Sequence, residues 1–378
     1  MAPIDILASL AMDIYLPIIP AMPGILDTSP AVIQLTLSLY MLTVGLGQLI
    51  FGPISDRTGR RPVLIGGALL FAAGCFGLAS SSTANTFLAF RFLQAAGASA
   101  ALVAMFATVR DVYAERPEGV TIYGLLSSML AFVPAVGPIA GAVISNALGW
   151  RAIFISLGAV AVLVMLNAVL RWDETRSEKA PDSRGAFLPM LLSPAFWTYT
   201  LGFSAAMGTF FVFFSTAPRV LIDVAGYSEI QFSLSFATVA VVMIVTAPFA
   251  KQFVGRWGIS GSLRRGMATL LLGAVILGWG QLSGSPSFLT FVTPMWVMAV
   301  GIVFTVSVTA NGALAEFDNV AGTAVALYFC IQSLFVGIIG SLTVIAFNGN
   351  TAWPLVAYSS IMALVVLVAL RLLNLRRR

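Results

Sequence analysis

Two acids share one apolar run. In MAPIDILASLAMDIYLPIIP, residues 1–20, Asp5 and Asp13 are the only charged side chains. A carboxylate costs on the order of 3 kcal/mol as a bare ion in a membrane-spanning helix, which makes it a candidate for proton exchange. On a helix the two would lie about 12 Å apart along the axis and about 80° apart around it, so one broad face carries both. A third charge, Arg91, stands inside LAFRFLQAAGASA, Leu88 to Ala100. Proton exchange beside a buried cation is the chemistry these three offer. The chain has no histidine, so neither a histidine base nor a histidine metal site is available. Its two cysteines, Cys75 and Cys330, lie in separate apolar runs and read as small buried hydrophobes.

The elements that hold such residues must cross a membrane. Of 378 residues, 59% are hydrophobic and 9% charged, against roughly 25% charged in a soluble domain. Uncharged runs of about 20 residues, enough to span hydrocarbon, recur along the whole chain. Twelve spans are predicted, near 2–22, 31–51, 63–82, 85–107, 120–147, 152–171, 194–215, 232–250, 266–284, 288–310, 321–347 and 353–373. Asp13 and Arg91 then lie about 13 Å and 10 Å from the outer ends of spans one and four, and these similar depths pair them. The pair could be purely structural, or could open when Asp13 takes a proton. All 20 basic residues except Arg91, Arg151 and Arg219 fall at connections on one side. That bias places both termini in the cytoplasm. The polar stretch WDETRSEKAPDSRG, Trp172 to Gly185, divides the chain into 1–171 and 194–378, joined by a cytoplasmic linker at 172–193. Two sets of six spans imply a binding cavity between them. The net charge of +5 needs no nucleic-acid partner to explain it.

GPISDRTGRRPVL, Gly52 to Leu64, forms the turn between spans two and three. Gly52 and Pro53 are expected to end the incoming helix, Gly59 to permit a tight return, and Pro62 to open the next helix. Topology accounts for Arg57, Arg60 and Arg61 but not for Asp56, since acids add little to it. Arg110, after span four, is the expected partner of Asp56. KQFVGRWGISGSLRRG, Lys251 to Gly266, takes the same place in the second half with basic residues and glycines but no acid.

These residues resemble the major facilitator superfamily. Its loop signature is Gly-x-Leu-x-Asp-Arg-x-Gly-Arg-Arg/Lys, met here with Ile54 in the leucine position. Arg91, Gln94 and Gly97 resemble its span-four signature. AVGPIAGAV, Ala135 to Val143, resembles the Gly-Pro-x-x-Gly motif of its antiporters through Gly137, Pro138 and Gly141, and GWRAIF follows. An ordinary packing kink is the other reading of that motif. AMDIYLPIIPAMP, FATVRDVYA, FFVFFSTAPRVLI, SVTANGALAEFD and NVAGTAVALYF extend the resemblance to the florfenicol and chloramphenicol exporters. It implies an all-α polytopic membrane protein with twelve transmembrane helices in two six-helix halves around a central cavity. It further implies proton-coupled efflux of phenicol antibiotics across the bacterial inner membrane by alternating access, by a monomer, with the proton gradient as energy source and no cofactor. Asp56 would belong to a latch between the halves. Those exporters carry further, mostly apolar residues before this start, which implies a first span lacking its basic anchor.

A neutral drug needs apolar and aromatic contacts. Phe203, Met207, Phe210 and Phe214 recur at helical spacing in span seven and could line its pocket, or could face lipid or neighbouring helices. Asp5, Tyr15, Gln34 and Tyr40 add polar contacts in the first half, and Tyr328 and Gln332 in the second. Other apolar drugs of the same antiporter group and a proton-coupled nutrient symporter remain alternatives. An enzyme is not expected: the spans hold no nucleophile–base cluster or metal set, and no phosphate loop is present.

Overall fold

Inside hydrocarbon every backbone N–H and C=O must find a partner within the protein, and a helix does this locally. The computed structural model describes residues 2–113, 118–175, 187–317 and 321–376, with side chains described over 6–109, 111–112, 132–175, 188–250, 252–317 and 323–375. Among the described residues every regular element is a helix. Ten helices among the described residues are long and apolar enough to cross a membrane, and the apolar helices Ile6–Ile18 and Phe132–Leu148 add two shorter ones. The all-helical, multi-pass architecture read from the sequence is therefore present.

Contacts divide the chain into two units, Met1–Asp182 and Ser183–Arg378. The first contains α1 (Ala2–Asp13), α2 (Met22–Ile25), α3 (Pro30–Thr58), α4 (Arg60–Ser80), α5 (Ala84–Tyr113), α6 (Glu118–Leu148) and α7 (Trp150–Arg171). There α4 packs between α5 and α7, α3 lies on α5, and α1 lies on α6 and α5. The second contains α8 (Phe187–Leu192), α9 (Pro194–Pro218), α10 (Glu229–Ser283), α11 (Thr293–Leu314), α12 (Ala321–Phe335), α13 (Ser341–Ala346) and α14 (Trp353–Arg376). Here α10 packs on α11 and α14, and α9 packs on the same two.

Three elements depart from the expected spans. The first span is not one helix: α1 stops at Asp13, a 3-10 turn follows at Leu16–Ile18, and α2 begins at Met22. Pro17, Pro20 and Pro23 lie in this stretch, and each lacks the N–H a continuing helix would need. Second, Gly52 and Pro53 do not end a helix; α3 runs on to Thr58, and the return is made by Gly59 alone, at φ 105° and ψ 161°. Third, the expected connection 251–265 is mostly helical. The two arms of α10 meet at Gly258, whose φ of 67° and ψ of 176° interrupt an otherwise helical run. Both turn glycines occupy backbone conformations that side chains with a Cβ rarely enter.

Gly59→Ala and Gly258→Ala should each lower the thermal unfolding midpoint of the purified protein, at a cost of roughly 1–3 kcal/mol. Gly66→Ala is the control, because Gly66 lies within α4 and a Cβ there meets nothing within 4 Å. It should leave the midpoint unchanged or raise it. Equal loss in all three would show that the turns are not conformationally special.

Candidate functional site

The end of α1 organises the first unit. A helix end leaves carbonyls without the N–H four residues on. Ile14 N–H still donates to the Leu10 carbonyl at 2.9 Å. The Ala11 carbonyl accepts from Arg91 Nη1 at 3.1 Å, and the Ala8 carbonyl accepts from the Tyr40 hydroxyl at 2.6 Å. Arg91 is fully buried on α5. Its guanidinium carbon lies 4.5 Å from the Tyr40 ring centroid and 5.2 Å from that of Tyr15. Nη1 also donates to Gln94 Oε1 at 2.7 Å, and Gln94 Nε2 donates to Cys75 Sγ at 3.1 Å. Cys75 is thus a hydrogen-bond acceptor as well as a buried filler.

The expected ion pair between Asp13 and Arg91 is not formed. Among the described residues no salt bridge joins the two. Arg91 instead stands at the C-terminal, negative end of the α1 dipole. Desolvated cation–π contacts contribute about 2 kcal/mol each, and hydrogen bonds from a charged donor about 1.5–3 kcal/mol. An intramembrane arginine costs about 3 kcal/mol, which these contacts offset, while Nε and Nη2 stay buried without a hydrogen-bond partner among the described residues.

Asp13 is buried, and α6 closes on it. A Cβ added at Gly137 would collide with the Asp13 Cβ and crowd Leu10. One added at Gly141 would collide with the Ile14 carbonyl oxygen. The two motif glycines therefore admit α6 to the backbone where α1 breaks. Pro138 lies between them inside an uninterrupted α6. Asp5 lies in α1, but its side chain is outside the described residues. Tyr15 is buried in an aromatic cluster, with ring centroids 5.9 Å from both Phe87 and Phe154. Gln34 is buried on α3.

At the Gly59 turn the centre of the charge network is Arg60, not Asp56. Arg60 Nη1 meets Asp56 Oδ1 at 2.6 Å and Ser55 Oγ at 3.1 Å, while Nε donates to Asp111 Oδ2 at 2.9 Å. Asp56 is 46% exposed and Asp111 only 10%, so the Asp111 pair is the desolvated one. The expected partner Arg110 has its side chain outside the described residues. Arg57 is exposed at the turn, and Gly52 lies in open helix. Glu174 is an addition that spacing did not disclose. Its two carboxylate oxygens accept from the N–H groups of Arg60 and Arg61 at 2.8 and 3.1 Å, capping the start of α4.

In the second unit the span-seven stripe divides. Phe203 stacks on Tyr328 at 4.8 Å between centroids and 15° between planes, with Phe329 edge-on at 5.7 Å. The Tyr328 hydroxyl donates to Thr309 Oγ1 at 2.9 Å. Phe210 and Phe214 pack instead on Phe236 of α10, at 6.0 and 6.2 Å. Met207 lies between the two groups and is half-buried, and Gln332 is buried one turn beyond Tyr328.

Spans on this scale among the described residues define a multi-pass membrane protein. The family model of the Major Facilitator Superfamily matches residues 1–341, and the chain belongs to that superfamily. A chloramphenicol resistance protein of Pseudomonas aeruginosa is 49% identical over 97% of this chain and 88% of its own length. The multidrug resistance protein MdtL of Shewanella oneidensis is 25% identical over 89% of this chain and 86% of its own. A crystal structure of a D-xylose–proton symporter superposes with a TM-score of 0.77 at 16% identity, covering 97% of this chain and 95% of that one. This last match speaks for the fold alone.

A double-mutant cycle should separate the two Arg60 pairs. Unfolding measured for Arg60→Ala, Asp111→Ala and their combination should give a coupling of a few kcal/mol, as for a buried pair. The same cycle with Asp56→Ala should give about 0.2–1 kcal/mol. Equal couplings would contradict the central place of the Arg60–Asp111 contact.

Proposed function

We propose that this protein exports phenicol drugs, chloramphenicol and florfenicol among them, across the bacterial inner membrane in exchange for protons. The observation that carries the reading is the 49% identity over 97% of the chain to a chloramphenicol resistance protein. The geometry supports the coupling. Asp13 is a buried carboxylate without an ion pair, seated where α1 breaks and α6 touches it through Gly137. Taking or releasing a proton there changes the charge at a helix end held by a bond from Arg91 and by a close backbone contact at Gly141. Asp5, earlier on α1, is assigned to proton entry and Asp13 to the gate. The flat faces of Phe203 and Tyr328 would part to receive an aromatic ring, with Thr309 beside them to bond a polar substituent. Met207, Phe210 and Phe214, on the same helix as Phe203, would shape the surroundings.

If a neutral drug leaves as one proton enters, each 100 mV contributes about 2.3 kcal/mol. Each unit of pH difference contributes about 1.4 kcal/mol. Together they support a drug gradient of roughly several hundredfold. The basic connections favour both termini in the cytoplasm, and the proposed exporter works as a monomer. Export of a broader range of apolar drugs is the second reading, favoured by the similarity to MdtL.

Expression in an efflux-deficient bacterium should raise the inhibitory concentrations of chloramphenicol and florfenicol, and a protonophore should remove the effect. Asp13→Asn should abolish resistance while drug binding to the purified protein persists. Phe203→Ala should weaken binding about three- to tenfold, the loss of one aromatic pair. Unchanged susceptibility with normal membrane expression would overturn the phenicol reading. Resistance only to unrelated drugs would select the second.

A further inference from the structure

The Gly59 and Gly258 turns take the same place in their own units but balance charge differently. The first is neutralised from within, by Asp56 and Asp111 on Arg60 and by Glu174 on the start of α4. The second holds Lys251, Arg256, Arg264 and Arg265, with no acid from 251 to 266. Among the described residues Arg256, Arg264 and Arg265 form no salt bridge, and all three are exposed.

One of these cations is held in place. The Arg265 guanidinium lies 4.6 Å over the Trp257 ring, and its Nη1 donates to the Gly261 carbonyl at 3.3 Å. Trp257 in turn stacks on Phe253 at 4.7 Å. Trp257 and Gly261 also line a cleft of about 320 Å³, shared with Tyr199, Ser260, Asn311 and Ala315. Ser260 Oγ shares a 3.0 Å hydrogen bond with the Tyr199 hydroxyl. Glu316, next to Ala315, accepts from Ser193 Oγ at 3.3 Å. Along the stripe of α10 that carries Arg265 come Leu272, Ile276 and Trp279, all exposed. At 3.6 residues per turn they share one side of the arm. The result is an apolar helix face, a cation at its end and a polar cleft beside the cation.

We propose that the Gly258 turn binds an anionic phospholipid of the inner leaflet. Arg264 and Arg265 take the headgroup phosphate, whose oxygens suit the planar guanidinium fork. The polar remainder of the headgroup enters the cleft beside Asn311 and Ser260. The acyl chains lie along Leu272, Ile276 and Trp279. Basic pockets at the cytoplasmic ends of spans bind such headgroups. The lipid supplies in the second unit the negative charge that Asp56, Asp111 and Glu174 supply in the first.

The test is native mass spectrometry of the full chain mixed with equal amounts of phosphatidylglycerol and phosphatidylcholine bearing the same acyl chains. Wild type should retain phosphatidylglycerol about fivefold or more over phosphatidylcholine, the discrimination of one or two basic contacts. The Arg264→Gln/Arg265→Gln protein should retain both lipids equally. Arg264→Lys/Arg265→Lys should keep part of the preference, and Trp257→Leu, which spares both arginines, should weaken it. Arg151→Gln, on the opposite side by span count, should keep it whole. Inorganic phosphate at the lipid concentration should not displace phosphatidylglycerol. Equal retention by wild type, an undiminished preference in the double glutamine variant, or displacement by inorganic phosphate would overturn the proposal.

Discussion

A helix that stops inside hydrocarbon exposes carbonyls that no water can reach, and the first unit is arranged around one such end. Three prolines after Asp13 prevent α1 from continuing. Arg91 answers the Ala11 carbonyl, and the Tyr40 hydroxyl adds a bond to the Ala8 carbonyl within the helix. Gln94 orients Arg91 and is itself seated on Cys75. Side chains from α3, α4 and α5 thereby converge on a few residues of α1. The same break leaves Asp13 without a cationic partner while α6 presses on it through Gly137. A charge change at Asp13 meets a packed helix contact, not a solvated surface. That is the physical requirement for coupling proton occupancy to a change of shape.

The turns obey a different constraint. Each must reverse a long helix in a single residue, and glycine at positive φ does so at both places. Around the first, three acids from α3, α5 and the segment after α7 fasten the turn to its own unit. Around the second, the Trp257 ring holds Arg265 and leaves its charge available. The repeat of the geometry with a change of electrostatics means that one turn is braced internally while the other faces its surroundings.

Much of this was legible in the chain. Apolar runs disclosed the spans. The signatures around Asp56, Arg91 and Gly137 disclosed the family. Other features were hidden for identifiable reasons. Pairing Asp13 with Arg91 rested on depth, and depth does not reveal that a helix end and two tyrosine faces can serve the cation instead. The prolines at 17, 20 and 23 did signal the break, yet hydropathy over a 20-residue run conceals it. Gly52 and Pro53 looked like a helix stop, but α3 tolerates a proline near its end. Glu174 caps a helix that begins more than a hundred residues earlier, a contact no spacing rule reaches. The phenylalanine stripe was continuous in sequence, whereas α10 and α12 claim different members of it.

The central claim is that drug and proton movement are tied together at the broken end of α1. It is tested most directly by the reverse reaction in proteoliposomes. With no imposed pH or voltage gradient, an outward chloramphenicol gradient applied to the wild-type protein should drive protons inward, read as acidification of a trapped dye. The gradient should produce no such signal in protein-free liposomes. Movement of labelled chloramphenicol through the wild-type protein without accompanying acidification would contradict the account.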